Sequence, residues 1–308
     1  MGTCTQFTKN CYYCSDLLST KQTVAVANCK SLKVQIKIRN LCRRYLIVKQ
    51  LACINSSDKV VWFLNTAIIL DKELDWYENI QIDEVIYTGQ LSSGLRCGFG
   101  TQKWPDGSVY EGQWKDNKAN GLGKITHSNK DTIEGQWVNG CINGFGIFTR
   151  NDGVIYKGYW KNDLQEGKGV EERPNGLKFI GNFIGGLKEG KGSAKLEDGS
   201  YYDGDFKRGV ICGKGIYHFK NGKVYEGDWV DNQMNGFGKL KWPDGKYYLG
   251  EFKDNWRDGY GTFVWPNGKK FLGTWREGKQ HGLGKTVFES GVVKQAEYFD
   301  GRRVRWLT

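Results

Sequence analysis

The residues in this chain that could do chemistry are few, and most fail on spacing. Gly185-Gly186-Leu187-Lys188-Glu189-Gly190-Lys191-Gly192 comes within one residue of a phosphate-binding loop, but Gly192 stands where a magnesium-binding Ser or Thr is required. No helical pattern follows it, and a nucleotide loop needs one to present its backbone N–H groups. Cys11 and Cys14 have the spacing of half a zinc knuckle without a second half, and the histidines are only His127, His218 and His281. His281 falls before a Gly-x-Gly, where Asn120, Asn143 and Asn235 stand elsewhere, and reads as a loop residue. Carboxylates such as Asp228 and Glu251 recur once or twice per segment, as on a solvated strand face. No nucleophile, base and oxyanion set can be assembled, so the expectation is a non-catalytic protein with no cofactor and no metal.

The elements that carry these residues explain the false signals. Aligned on Tyr-x-Gly-x-Trp, the chain starts over at Tyr87, Tyr110, Ile133, Tyr156, Phe179, Tyr202, Tyr225, Tyr248, Phe271 and, degenerately, Lys294. A Gly-x-Gly follows in nine units, from Gly98 and Gly100 to Gly282 and Gly284. Most units close on Asp-Gly or Asn-Gly, such as Asp106-Gly107 and Asn221-Gly222; the second instead has Lys130-Asp131 and the ninth Ser290-Gly291. Asp-Gly and Asn-Gly between aromatic runs predict two-residue hairpin turns with positive φ at both central residues. A period of two puts Tyr110, Gly112 and Trp114 on one strand face, and likewise Tyr156 with Trp160 and Tyr225 with Trp229. Glycine weakens a strand unless something must come close, so the Gly-x-Gly backbone is expected to lie under a ring of the adjoining strand. Hairpins are marginal alone, so each unit must stack on the next.

These residues resemble MORN repeats, over 86–293 in nine units, with 294–308 as a degenerate C-terminal cap. Aromatic-glycine repeats of choline-binding proteins are the nearest alternative, but they are shorter and lack the Gly-x-Gly. The final segment, with Gly278-Lys-Gln-His-Gly282 and Asp300-Gly-Arg-Arg-Val-Arg-Trp306, looks similar to arrays of ciliate and other protist proteins. The resemblance implies a mainly β protein, an elongated antiparallel β-hairpin solenoid or ribbon. With strands ~4.8 Å apart, regular stacking would give roughly 90–100 Å. It also implies a scaffold for other proteins in cortical or ciliary cytoskeletal, membrane-associated assemblies. The repeat aromatics, including Trp242, Trp265 and Trp275, are either structural or partner-binding.

Composition agrees with hairpins: 43 glycines and four prolines accompany 12 Trp, 16 Tyr and 15 Phe. The net charge of +11 is unevenly placed, with a basic head over 1–53 and an acidic neck carrying Asp71, Glu73, Asp75, Glu78, Asp83 and Glu84. The longest apolar stretch, Val60 to Leu70, is far short of the ~20 residues that span a bilayer. No signal peptide is visible, and nine cysteines, six of them before residue 54, fit reduced thiols in a cytoplasmic protein.

Residues 1–27 read as a flexible, cysteine-bearing N-terminus, and 28–85 as a basic helix, a capping segment and the acidic neck. Apolar residues Val34, Ile38, Leu41, Tyr45 and Ala52 recur at helical spacing over 28–52. Within them Val34, Gln35, Arg39 and Arg44 resemble an IQ motif, with Asn40 in place of its glycine. That resemblance implies a calmodulin- or centrin-binding helix; the alternative is a plain N-terminal cap for the array. Gly2 and Cys4 stand where dual acylation would fall, although Gln6 occupies the position that favours Ser or Thr. The expected partners are proteins, with acidic phospholipid as the alternative and no nucleic acid, and the expected place is the cytoskeleton, cilium or cell cortex, peripheral to a membrane.

Overall fold

In the repeats, short strands alternate with longer ones, and two kinds of reversal join them. Val109–Lys115 turns through Asp116 and Asn117 into Lys118–Thr126, and a loop over 127–131 leads to Thr132–Val138. The computed structural model describes residues 74–307 and the strand segments Val48–Gln50, Ile54–Ser56, Lys59–Val61 and Asn65–Ala67. From Asp75–Ile82 to Arg302–Trp306, 21 strands pair antiparallel with their chain neighbours in sequence order. The result is an open meander whose first and last strands are its two edges. Val48–Gln50 pairs with Asn65–Ala67, and Ile54–Ser56 with Lys59–Val61, as separate two-stranded sheets.

The two-residue turns lie elsewhere than the Asp-Gly marks. Positive φ at both positions occurs at Asp116-Asn117, Asn162-Asp163, Asp231-Asn232 and Asp254-Asn255, and at pairs such as Arg208-Gly209 and Asp300-Gly301. Asp106-Gly107 belongs to a wider loop in which the Trp104 carbonyl accepts from Gly107 N–H at 3.0 Å, and only the glycine has positive φ. The acid before it serves differently, since Asp106 Oδ1 accepts from Ser108 N–H at 2.8 Å and closes an Asx turn.

The second unit lacks the glycine but makes the same Asx turn, at Asn129-Lys130 rather than at Lys130-Asp131. Asn129 accepts from Asp131 N–H at 2.9 Å, and Lys130 occupies the glycine position at φ 72°. A left-handed backbone costs a residue with a Cβ about 1 kcal/mol. Lys130 is exposed, so Lys130→Gly should raise the melting temperature by roughly 2–4 °C, read by thermal denaturation.

The expected helix over 28–52 ends against a finding: Val48–Gln50 is strand. The β-branched Val48 suits that state. The rest of that reading, over 28–47 and 51–52, lies outside the described residues.

The core occupies one face of the main sheet. Each Tyr or Phe that opens a unit lies over the glycine two residues on and the second glycine of the next Gly-x-Gly. A Cβ at Gly169 would sit 2.6 Å from Cε2 and Oη of Tyr156. The first glycine of each Gly-x-Gly has another purpose: Gly98, Gly121, Gly167 and their equivalents all have positive φ, at the point where the strand register slips. Rings within and between successive units meet edge to face, as in Tyr87–Trp114 at 5.7 Å, Trp114–Tyr110 at 5.0 Å and Tyr110–Trp137 at 5.4 Å. The ladder breaks at the third unit, where Ile133 replaces the tyrosine and buried Ile142 fills in. It resumes at Trp160–Tyr156 and runs to Phe271–Tyr298. Such pairs add about 0.5–1.5 kcal/mol each beyond their burial.

Candidate binding face

The glycines that seat the rings make a feature on the opposite face. Gly89 pairs with Gly100, Gly100 with Gly112, Gly112 with Gly123, and the seam continues strand by strand to Gly273 and Gly284. The Cβ vectors along the seam aim into the aromatic core, so the other face of the seam is bare backbone. Two rows of side chains flank it.

One row comes from the central residue of each Gly-x-Gly with its cross-strand partners: Lys191 faces Asp205, Lys214 faces Asp228 and Phe237 faces Glu251. The other row runs Asp203, Ile216, Glu226, Lys239, Leu249. Between the rows, across the units of 202–249, lies an open groove of about 560 Å³ floored by Gly204, Gly215, Gly227 and Gly238.

The central Gly-x-Gly position is where the units differ in kind. In chain order it reads Phe99, Leu122, Phe145, Lys168, Lys191, Lys214, Phe237, Tyr260 and Leu283. Phe99 and Phe145 are buried, the three lysines are exposed, and Phe237, Tyr260 and Leu283 are more than half exposed. Lys191 pairs with Asp205 at 2.9 Å and Lys214 with Asp228 at 2.5 Å, so two of the lysines are already neutralised. The Lys191 ammonium, together with Lys214 N–H at 3.0 Å, holds the Asp205 carboxyl below the usual carboxylate range.

The carboxylates on this face, and the glutamine that takes their place in another unit, are not merely solvated. Asp228 Oδ2 accepts from Phe237 N–H at 3.0 Å, and Gln136 Oε1 accepts from Phe145 N–H at 2.9 Å. Glu251 reaches Tyr260 N–H at 3.3 Å. They satisfy the amide that the register slip frees, a role the sequence did not show because the slip itself is invisible there.

Most of the aromatics singled out above are core. Tyr110, Trp114, Tyr156, Trp160, Tyr225, Trp229 and Trp275 are buried. Several indoles donate to the glycine seam of the preceding unit, as Trp114 Nε1 does to the Gly100 carbonyl at 3.0 Å and Trp160 Nε1 to that of Gly146 at 3.2 Å. Trp242 and Trp265 are half-buried against Phe263, with ring centroids 5.7 and 4.6 Å away, and Lys269 Nζ lies 4.9 Å above Trp265. Trp256 is 58% exposed. His281 lies within the strand Lys279–Val287 rather than in a loop, with its ring 5.3 Å from that of Phe299. Gly185 and Gly186 form a hairpin turn, and a strand follows where a nucleotide loop would need a helix. Val34, Gln35, Arg39, Arg44, Gly2 and Cys4 lie outside the described residues.

Among the described residues no group of three or more His, Cys, Asp or Glu is placed to hold a metal ion, and no helix is long and apolar enough to cross a membrane.

The model of the MORN repeat matches nine segments, from 87–109 through 134–155 to 271–293. The chain belongs to the MORN repeat family. MORN arrays are protein- or membrane-binding scaffolds and are typically non-catalytic. No curated protein matches the chain. Among solved structures it is similar to the TCP10 domain of Danio rerio CPAP in complex with a peptide of Danio rerio STIL, at 14% identity and a TM-score of 0.41, covering 69% of this chain and 95% of that one. The CPAP G-box domain, from a microcephaly protein, gives 13% identity and a TM-score of 0.37, covering 66% and 100%. Neither likeness is close enough to carry a partner over to this MORN array.

Proposed function

We propose that this MORN array is a scaffold that binds a partner protein along its glycine-floored groove. The observation that supports this is that Phe237, Tyr260 and Leu283, at the Gly-x-Gly centre of consecutive units, present three exposed apolar side chains. Successive units are two strands apart, so equivalent positions recur about every 10 Å across the sheet. A partner segment lying across the strands would meet the same chemistry at each step. The ion pairs at Lys191 and Lys214 favour a protein over acidic phospholipid for this face, because a lipid headgroup would have to compete with Asp205 and Asp228.

A variant with Phe237, Tyr260 and Leu283 all changed to Ser tests the reading. Photo-crosslinkers placed at Ile216 and Leu249 should link wild-type protein to a discrete partner in cells, and the variant should lose at least about tenfold of that product while its melting temperature holds. An undiminished product in the folded variant would overturn it.

The finer proposals rest on the N-terminal residues. The IQ-like segment recruits calmodulin or centrin, Gly2 and Cys4 take acyl chains, and the assembly is cortical or ciliary. A peptide of residues 28–52 should bind calmodulin, and changing Gln35, Arg39 and Arg44 to Ala should abolish binding; an unbound native peptide, with or without calcium, sinks that assignment. Acidic phospholipid remains the competing partner for the basic head, and flotation with acidic liposomes at moderate salt decides it.

A further inference from the structure

The two edges of the sheet are opposite in charge, and both are open to pairing. Asp75–Ile82 is one edge, with Asp75 and Glu78 exposed and Asp83 and Glu84 just beyond. Arg302–Trp306 is the other, and all five of its residues are exposed, including Arg302, Arg303 and Arg305. Among the described residues the outer side of each strand has no ladder partner.

Both edges also keep apolar side chains in water. Trp76 is 44% and Tyr77 41% exposed on the first strand, while Val304 is 61% and Trp306 40% exposed on the last. The terminal units of a repeat array ordinarily turn a polar face outward, and edge strands are ordinarily blunted so that they do not pair. Here the charges oppose pairing of like edges only. Two acidic edges repel, two arginine-rich edges repel, and an acidic edge attracts an arginine-rich one.

We propose that copies of this chain associate head to tail, the Arg302–Trp306 edge of one pairing with the Asp75–Ile82 edge of the next. Because the sheet has an odd number of strands, its two edge strands run in the same direction. A copy added with its groove on the same side therefore joins through a parallel ladder. Asp75 and Glu78 are three residues apart, as are Arg302 and Arg305, so one register brings both acids opposite arginines. Arg305 already pairs with Glu297 at 2.7 Å, in an exposed pair that exchanges at little cost. The contact is heterologous, so it builds an open series rather than a closed dimer, and the glycine groove continues from copy to copy.

Sedimentation of the full chain over a range of concentrations tests the proposal. Wild-type protein should give a ladder of masses that grows with concentration at low salt and recedes at high salt. Charge reversal at one edge (Arg302→Glu with Arg305→Glu) or the other (Asp75→Lys with Glu78→Lys) should weaken association by roughly 10–100-fold. Each variant alone presents two like edges, whereas a mixture restores unlike ones, so mixing should bring assembly back. All four positions are exposed, and a circular dichroism melt checks that each variant folds. A wild-type monomer at every concentration overturns the proposal. So does a series that stops at two, variants that assemble as well as wild type, or two folded variants that fail to assemble when mixed.

Discussion

Gly169→Ala should be among the most damaging single changes in the array, and Gly167→Ala, two residues away in the same Gly-x-Gly, a mild one. At Gly169 the new methyl would stand 2.6 Å from Cε2 and Oη of Tyr156. Tyr156 is 1% exposed, its hydroxyl donates to the Tyr159 carbonyl at 3.0 Å, and its ring meets those of Trp160 and Phe183 at 5.1 and 5.0 Å. The ring has nowhere to retreat, and forcing a methyl into such a core costs about 3 kcal/mol. At Gly167 the nearest atom to a new methyl is 3.9 Å away, and the cost is the backbone, held at φ 75°. That is about 1 kcal/mol. The expected losses in melting temperature are roughly 6–12 °C and 2–4 °C. Equal losses at the two positions would mean that the ring is not what the second glycine accommodates.

That contrast also marks where the sequence stopped being legible. The 23-residue period, the strand faces and the ring over glycine could be read from Tyr110-Glu-Gly112-Gln-Trp114, because side-chain alternation is a property of the local chain. The turns could not be placed so well. Asp106-Gly107 carries the strongest local turn signal but forms the wider loop, while Asp116-Asn117, with no glycine, forms the two-residue hairpin. The decision is made between units: Asn117 N–H donates to the Arg96 carbonyl at 3.1 Å, and its Oδ1 accepts from Arg96 N–H at 2.8 Å. Asp163 and Asn255 repeat this with Ile142 and Met234, each reaching back 21 residues. The exposed row beside the glycine seam was hidden for a related reason. That Phe237 is exposed and Phe99 buried at the same repeat position depends on what surrounds each unit, and a repeat pattern treats them as equivalent.

Those interunit contacts bear on the core tyrosines, whose titration gives the second large effect. The array should unfold cooperatively on the alkaline side, with tyrosinate appearing as the sheet is lost. Tyr87, Tyr110, Tyr156, Tyr202, Tyr225 and Tyr248 are each at most 1% exposed, and burial pushes every one of these hydroxyls well above the ordinary phenol value. Below about pH 10 they are neutral in both folded and unfolded chains and leave stability unchanged. Above it the unfolded chain releases protons that the folded one retains, so stability falls as pH rises toward the folded values. The slope approaches about 1.4 kcal/mol per pH unit for each tyrosine. Six acting together would consume a typical domain stability of 5–15 kcal/mol within roughly two pH units.

Phenylalanine at the same position separates this linkage from packing, and Phe179 and Phe271 show that the fold accepts it. Tyr225→Phe removes the hydroxyl that donates to the Asp228 carbonyl at 2.9 Å, which should cost about 1 kcal/mol at neutral pH. It also removes one titrating group. Tyr202→Phe with Tyr225→Phe should therefore melt lower at neutral pH yet lose stability less steeply above pH 10, so the two stability curves converge as pH rises. Circular dichroism and tyrosinate absorbance followed together through an alkaline titration would show it, and a gradual tyrosinate signal with the sheet intact would count against the linkage.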